Sequence, residues 1–154
     1  MGVRRSMISG CVAVVLALAG AAGVQAQTPR VIAITGTDAM KFSVTAIEAK
    51  PGEKLTVKLT GQGAIPKVAM AHNFVLLTLK ADANAFAQAG AMSRPTDFIP
   101  PAMKDQVLAA TKLAGTGETV EVTFDAPKEP GVYTFICTFP GHFAAGMKGT
   151  LTVK

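Results

Sequence analysis

Short segments of strand-like pattern follow one another along most of the chain. Residues 41–48, 54–60 and 119–124 alternate polar and apolar side chains, and residues 30–35, 132–137 and 149–154 are rich in β-branched or aromatic residues. Alternation with a period of two is typical of strands that bury one face. Residues 73–79 are almost continuously apolar, as in a central strand. With Pro-Gly turns between segments, the pattern predicts an all-β fold, a Greek-key β-sandwich.

Residues 80–115 interrupt this pattern. Residues 81–92 are rich in alanine, with Asp82 as a candidate helix cap and Gly90 near a candidate helix end. Prolines at positions 95, 100 and 101 prevent a long helix afterwards. We therefore predict a small, partly helical flap at residues 80–115, inserted between two strands.

The first 26 residues have the pattern of a cleaved secretory signal. Arg4 and Arg5 precede an apolar run at 11–24, and Val24-Gln25-Ala26 is a small-residue cleavage site. The apolar run is too short to span a membrane comfortably, so we expect no stable membrane insertion. The sequence predicts an exported, periplasmic protein with a single domain at residues 27–154.

Charge and cysteine content narrow the function classes. Removing Arg4 and Arg5 with the signal lowers the formal net charge from +5 to +3, and the charges are interspersed, so nucleic-acid binding has no support. Cys11 also lies in the signal, which leaves Cys137 as the one cysteine of the mature chain. A lone thiol in an oxidising compartment is exposed to oxidation unless a metal holds it.

The segment from Cys137 to Met147 contains three side chains that can bind a metal. Cys137 ends a predicted strand, His142 follows after a Pro-Gly turn, and Met147 precedes the final strand. His72 is the other histidine of the chain and precedes the apolar central strand. One thiolate, two imidazoles and a weak axial thioether are the ligands of a blue-copper electron-transfer site.

Each of these residues also has a plain structural interpretation. A single methionine is usually core filler, and a single strand histidine is more often a surface or core residue than a ligand. Taken together, however, both histidines fall at the same predicted site. We therefore predict one copper ion per chain, bound by His72, Cys137, His142 and Met147.

Four segments resemble the cupredoxin family, and within it the azurins and auracyanins. They are Met70–Leu76, Thr111–Glu118, Tyr133–His142 and Met147–Lys154. The resemblance covers nearly all of the predicted mature chain. It implies a small blue-copper protein that shuttles one electron between redox partners.

The resemblance also implies roles around the ligands. The backbone carbonyl of Ala71 would be a weak axial ligand opposite the methionine. Asn73 would link the two ligand segments near Thr138. The amides of Asn73 and Phe139 would donate to the Cys137 sulfur, and such donors raise the reduction potential by stabilising the reduced site.

Two features depart from the azurin pattern. Four residues separate His142 from Met147, where azurins have three and auracyanin-type loops have four. Azurins also carry a disulfide near the mature N-terminus, for which this chain has no cysteines. The N-terminal strands are therefore expected to rely on packing alone.

An apolar rim is predicted around the ligand loop, with His142 near the surface. Its members are Pro140, Phe143, Ala144 and Ala145, and the azurin resemblance implies that Met40 and Pro66 join them from other loops. An exposed apolar patch is a candidate docking site, and electron-transfer encounters need only a modest one. By resemblance, the partners would be redox proteins such as a c-type cytochrome or a terminal reductase or oxidase.

Other functions fit the sequence less well. A multicopper oxidase or copper nitrite reductase needs further histidine ligands, so we do not expect an enzyme. A periplasmic copper carrier could use Met70, Met92, Met103 and Met147 as Cu(I) ligands, but these are scattered. A metal-free binding module leaves the exported thiol unexplained. Nothing in the sequence demands more than a monomer.

Overall fold

The computed structural model describes residues 28–154 together with Gly2, so the predicted signal segment, apart from Gly2, lies outside the described residues. The described part contains two β-sheets and a short helical segment. Its strands are β1 (Arg30–Thr37), β2 (Lys41–Phe42), β3 (Ala46–Ala49), β4 (Lys54–Gln62), β5 (Val75–Leu77), β6 (Val107–Ala110), β7 (Thr119–Asp125), β8 (Gly131–Ile136) and β9 (Lys148–Val153).

The two sheets are both mixed. The first has the order β2-β1-β4-β7, and the second has the order β3-β9-β8-β5-β6. The pairs β1–β4 and β3–β9 are parallel, whereas the other neighbours are antiparallel. The all-β sandwich predicted from the sequence is confirmed.

The first sheet buries one face, which explains its alternating pattern. Leu55, Val57 and Leu59 of β4 are fully buried in the main core, whereas Lys58 is exposed. Burying one such side chain contributes about 1.5–3 kcal/mol. The period-two pattern of residues 54–60 is therefore the sequence signature of this buried face.

The second sheet is covered on both faces at β5. Phe74 and Leu76 belong to the main core, and the rings of Phe74 and Phe135 lie 4.9 Å apart. Val75 and Leu77 instead pack in a second cluster with Phe86 of the helix. This double burial explains the continuous apolar run at 73–79, although the strand itself is shorter than that run.

The predicted flap is only partly correct. Helix α1 (Ala83–Gly90) begins as expected, because Asp82 Oδ1 accepts the backbone N–H groups of residues 84 and 85 at 2.9 and 3.1 Å. Short 3-10 helices follow at Arg94–Thr96 and Pro101–Gln106. Residues 107–110, however, form strand β6 on β5 instead of flap. Within the described residues, no helix is both long and apolar enough to cross a membrane.

Residues 41–48 were predicted as one strand and are two. β2 pairs with β1 in the first sheet, whereas β3 pairs with β9 in the second. The chain therefore changes sheets at residues 43–45, and Thr45 already accepts the N–H of Thr150 at 2.9 Å. Alternation alone does not reveal which sheet each half joins.

The start of β1 does not rely on packing alone, contrary to the expectation from the missing disulfide. Arg30 Nε donates to Glu53 Oε1 at 2.6 Å, and Arg30 Nη2 donates to the backbone oxygen of Glu48 at 2.6 Å. Glu48 also pairs with Lys154 at 2.7 Å. These polar contacts link both sheets at one end, although exposed ion pairs contribute only about 0–1 kcal/mol each.

Candidate metal centre

Three of the predicted copper ligands meet inside the protein. One nitrogen from each of His72 and His142 and the Cys137 sulfur all lie within 4.8 Å of one another. His72 and His142 are each 2 % exposed, and Cys137 is fully buried. A buried group of one sulfur and two nitrogen donors is a soft, water-excluded binding site.

The local backbone brings Cys137 and His142 together. Cys137 follows β8, and its N–H donates to the Met147 carbonyl at 3.1 Å. The chain then turns, with the His142 N–H donating to Phe139 O at 3.0 Å and Gly141 at φ 85°. Glycine adopts this left-handed conformation without a steric penalty. The turn places His142 Nδ1 3.4 Å from the Cys137 sulfur.

His72 reaches the site from a different part of the chain. Its backbone is fixed beside Ala114, with N–H to oxygen distances of 2.9 and 2.8 Å in the two directions. Gly36 of β1 lies against the imidazole, because a Cβ atom at that position would lie 2.7 Å from the ring. The absence of a side chain at Gly36 therefore leaves the space that His72 occupies. Sequence reasoning did not identify Gly36.

The residues predicted for the axial positions are also buried. Met147 and Ala71 are both 0 % exposed. The Met147 N–H donates to the His142 carbonyl at 2.9 Å, which fixes the methionine backbone beside a predicted ligand. Their roles as strong or weak axial donors stay predictions.

Asn73 and Thr138 are in contact, as the resemblance implies. Asn73 Oδ1 accepts the Thr138 N–H at 2.8 Å, and Asn73 Nδ2 donates to Thr138 Oγ1 at 2.8 Å. Both groups also donate to the Asp97 carbonyl, at 2.9 Å from Asn73 and 3.3 Å from Thr138. The buried polar groups therefore have partners, which matters because an unpaired buried donor costs about 1–3 kcal/mol.

The contribution of the flap was missed from the sequence. Asp97 and Phe98 both have positive φ angles, 54° and 61°, which non-glycine residues rarely adopt. In this conformation the Asp97 carbonyl accepts a hydrogen bond from Asn73. The Phe98 ring packs edge-on against the Phe139 ring, with centroids 5.2 Å apart. The prolines around this segment were the signal that its backbone is special.

Burial controls the protonation of the three donors. It raises the pKa of the Cys137 thiol to about 12, partly offset by backbone hydrogen bonds from Asn73 and Phe139. These are the two amides that the resemblance implies as hydrogen-bond donors to the Cys137 sulfur. Burial lowers the pKa of His142 to about 4, with a further contribution from His72, and burial also lowers the pKa of His72. Neutral imidazoles are the form that binds metals.

One donor nitrogen lacks a hydrogen-bond partner in the part of the chain that the structure describes. His72 Nδ1 is a buried nitrogen that makes no hydrogen bond among the described residues. Buried polar atoms normally have a partner. A cation held between this nitrogen, His142 and Cys137 would supply it, so the donor set fits a soft metal such as copper.

The predicted docking patch is only partly exposed. Pro140 and Ala144 are exposed, whereas Met40, Phe143 and Ala145 are half-buried. His142 was expected near the surface. Its own side chain is covered, while the adjacent Pro140 and Gly141 are open to solvent.

A neighbouring loop adds larger apolar side chains that the prediction did not include. Val68 is 67 % exposed and Ile65 is 37 % exposed, on the loop that leads from β4 to His72. The Asp38 carboxylate accepts the N–H groups of Ala64 and Ile65 at 2.7 and 3.3 Å, which ties this loop to the turn before Met40. Whether this surface binds a partner stays a prediction.

The methionines of the copper-carrier alternative have different environments. Met92 is 91 % exposed, Met147 is fully buried, and Met103 packs with the cluster under α1. Met70 is half-buried beside Ala71. No observation groups all four as one Cu(I) site.

The fold and the donor set together define a class of protein, the blue-copper cupredoxins. A model of the copper-binding proteins of the plastocyanin/azurin family matches residues 30–154. The chain belongs to this family, and copper is its cofactor.

Individual relatives agree with this assignment. An azurin of Pseudomonas aeruginosa is 43 % identical over 124 residues, covering 79 % of this chain and 82 % of that protein. An azurin of Bordetella pertussis is 44 % identical over 121 residues, covering 77 % of this chain and 79 % of that protein. The solved structure of auracyanin A, a "blue" copper protein from Chloroflexus aurantiacus, is 34 % identical, has a TM-score of 0.72, and matches over 82 % of this chain and 100 % of its own.

Proposed function

We propose that this protein is a soluble one-electron carrier with a type 1 copper site. His72, Cys137 and His142 would hold the copper most strongly, and Met147 and the Ala71 carbonyl would be weaker donors. The main support is the buried His–Cys–His group, whose donor atoms lie within 4.8 Å of one another. Bound copper supplies the one-electron couple Cu(I)/Cu(II).

The protein supplies the rest of the electron-transfer site. The turn at 139–142, the Asn73–Thr138 hydrogen bonds and the His72–Ala114 bridge position the donors through the protein's own contacts. A site that is rigid in the same geometry for both oxidation states needs little rearrangement on electron transfer. Burial excludes water from the donors.

The same proposal covers location and partners. The protein acts outside the cytoplasm, in the periplasm, after removal of residues 1–26, and it works as a monomer. It exchanges electrons with redox proteins such as a c-type cytochrome or a terminal reductase or oxidase. Encounter takes place over the apolar surface near Pro140 and Ala144, and the protein is not itself an enzyme.

A visible absorption spectrum tests the proposal. Adding Cu(II) to the purified protein should give an intense blue thiolate-to-copper band that ascorbate bleaches and reoxidation restores. Cys137→Ser should abolish the band. Met147→Leu should shift the band or the reduction potential, whereas Met92→Leu, at an exposed position, should change neither.

Repeated redox cycling distinguishes the electron carrier from a copper carrier. The protein should keep its metal through several cycles in the presence of a copper chelator. A colourless protein, or a band that disappears because the metal is released, would overturn the electron-transfer proposal.

A further inference from the structure

The side chain of Lys41 crosses from the first sheet to the ligand loop. Its Nζ donates to the backbone oxygen of Ala145 at 2.6 Å, although the two residues are 104 positions apart in the sequence. Ala145 lies between His142 and Met147. We infer that Lys41 is a positioning residue, which holds this loop and so restrains the Met147 side chain at its end.

The base of the lysine is well anchored. Lys41 is in β2, where it pairs with Thr37 of β1. The next residue, Phe42, is buried, and its ring centroid is 5.7 Å from that of Phe135. A side chain that starts from such a fixed backbone can restrain the group it contacts.

The loop leaves an acceptor for the lysine. Three of its N–H groups donate to carbonyls within the loop, from Ala145 to Gly141 at 3.0 Å, from Gly146 to Phe143 at 2.9 Å and from Met147 to His142 at 2.9 Å. Among the hydrogen bonds of the described residues, none of these uses the Ala145 carbonyl. Lys41 therefore provides a hydrogen bond that joins this part of the loop to the first sheet.

Gly146 makes room for the ammonium group. A Cβ atom at this position would lie 3.0 Å from Lys41 Nζ, which is tighter than an ordinary contact. Gly146 also has φ 91°, a conformation that L side chains rarely adopt. The glycine thus permits both the turn before Met147 and the close approach of the lysine.

The consequence for the metal centre rests on the proposed function. A thioether at a weak axial position is held mainly by the protein, and the axial ligand tunes the reduction potential. Loss of the Lys41 contact should therefore loosen the loop and change the potential. Removing the positive charge of Lys41 should also affect the reduction potential, because a nearby positive charge favours the reduced, less positive state of the site.

Lys148 offers a matched control for the effect of charge. Its Nζ lies over the Phe143 ring, 5.1 Å from the centroid, so it is also a cation beside the ligand loop. No hydrogen bond from its ammonium group to a loop carbonyl is present among the described residues. Lys148→Met removes a nearby charge but leaves the Lys41–Ala145 contact intact.

The experiment compares Lys41→Met, Lys41→Arg and Lys148→Met with the unsubstituted protein. In the copper-free proteins, Lys41→Met should accelerate hydrogen exchange of the Gly146 and Met147 amides by about tenfold, the equivalent of one hydrogen bond. Lys41→Arg, which keeps a donor, should restore most of the protection. Lys148→Met should leave it unchanged.

In the copper-loaded proteins, the potential is measured by titration and the axial geometry by the visible and electron paramagnetic resonance spectra. Lys41→Met should alter the spectra and change the Cu(I)/Cu(II) affinity ratio by about threefold or more, which is about 30 mV at 59 mV per tenfold. Unchanged amide exchange in Lys41→Met, or equal spectral changes in Lys148→Met, would overturn the positioning role. Absence of the blue band from the unsubstituted protein would instead overturn the proposed function, while the exchange result would still stand.

Discussion

Asn73 and Thr138, both buried, are joined by reciprocal hydrogen bonds. Asn73 Oδ1 accepts the Thr138 N–H at 2.8 Å, and its Nδ2 donates to Thr138 Oγ1 at the same distance. Asn73 directly follows His72, and Thr138 directly follows Cys137. Two predicted ligands from distant parts of the sequence are therefore held together by their immediate neighbours.

Asn73→Ala should destabilise the copper-free protein. It removes the acceptor of the buried Thr138 N–H and a donor to the Asp97 carbonyl, so we expect a loss of about 2–4 kcal/mol in the free energy of unfolding. Urea unfolding measures this loss. Asn84→Ala, at an exposed position in α1, is the control and should change stability by less than about 0.5 kcal/mol. Equal midpoints for both variants would contradict the role of Asn73.

Gly36→Ala should weaken copper binding. The added methyl group would lie 2.7 Å from the His72 ring, so the imidazole or the β1 backbone must shift, and a shifted imidazole binds the metal less well. Gly131→Ala is the control, because its added Cβ would meet the flexible end of Leu79 at 2.8 Å. A competition titration with a copper chelator should give a clear loss of affinity for Gly36→Ala and little change for Gly131→Ala. The same affinity for both would mean that His72 tolerates the displacement.

The copper-free protein should lose stability as the pH falls from about 6.5 to about 4. Burial lowers the pKa of His142 to about 4 from an ordinary value of 6.5, and the pKa of His72 moves in the same direction. Between these pH values the unfolded chain binds more protons, so acid favours unfolding, by up to about 3 kcal/mol for His142. Urea unfolding at pH 7 and pH 5 should show the loss, and His142→Gln should reduce it. Equal stability at both pH values would show that the imidazoles are accessible to protons in the folded state.

Copper uptake should release a proton from Cys137. Burial raises the pKa of this thiol to about 12, so it is protonated in the copper-free protein at pH 8. The thiolate is the ligand, and apparent copper affinity should therefore rise about tenfold per pH unit above pH 7. Calorimetry in buffers of different ionisation enthalpy counts the released protons. Cys137→Ser should release none, and the same count in both proteins would exclude Cys137 as the source.

The strands were largely predictable, because alternation and burial have the same period. Residues 54–60 were assigned correctly for this reason. Residues 41–48 were not, since their alternation continues through the point where the chain changes sheets. Strand β6 at Val107–Ala110 was missed because it follows a proline-rich segment and its pairing with β5 is a tertiary contact.

The site was predictable where its parts are close in sequence. The spacing of Cys137 and His142 and the Pro-Gly turn between them already indicate a metal loop. Gly36, Lys41 and Asp97 act through contacts with residues far away in the chain, and each is an ordinary residue in its own segment. Such contacts become visible only once the two sheets and the flap are packed together.

The order of the donors along the chain affects how copper contributes to stability. A bound ligand stabilises a protein by the difference between its affinities for the folded and unfolded states. Cys137, His142 and Met147 are close neighbours in the sequence, so the unfolded chain keeps them together and retains some affinity for copper. Folding adds chiefly His72, which comes from 65 positions earlier than Cys137. The stabilisation by copper should therefore be smaller than its affinity for the native protein suggests, and most of it should depend on His72.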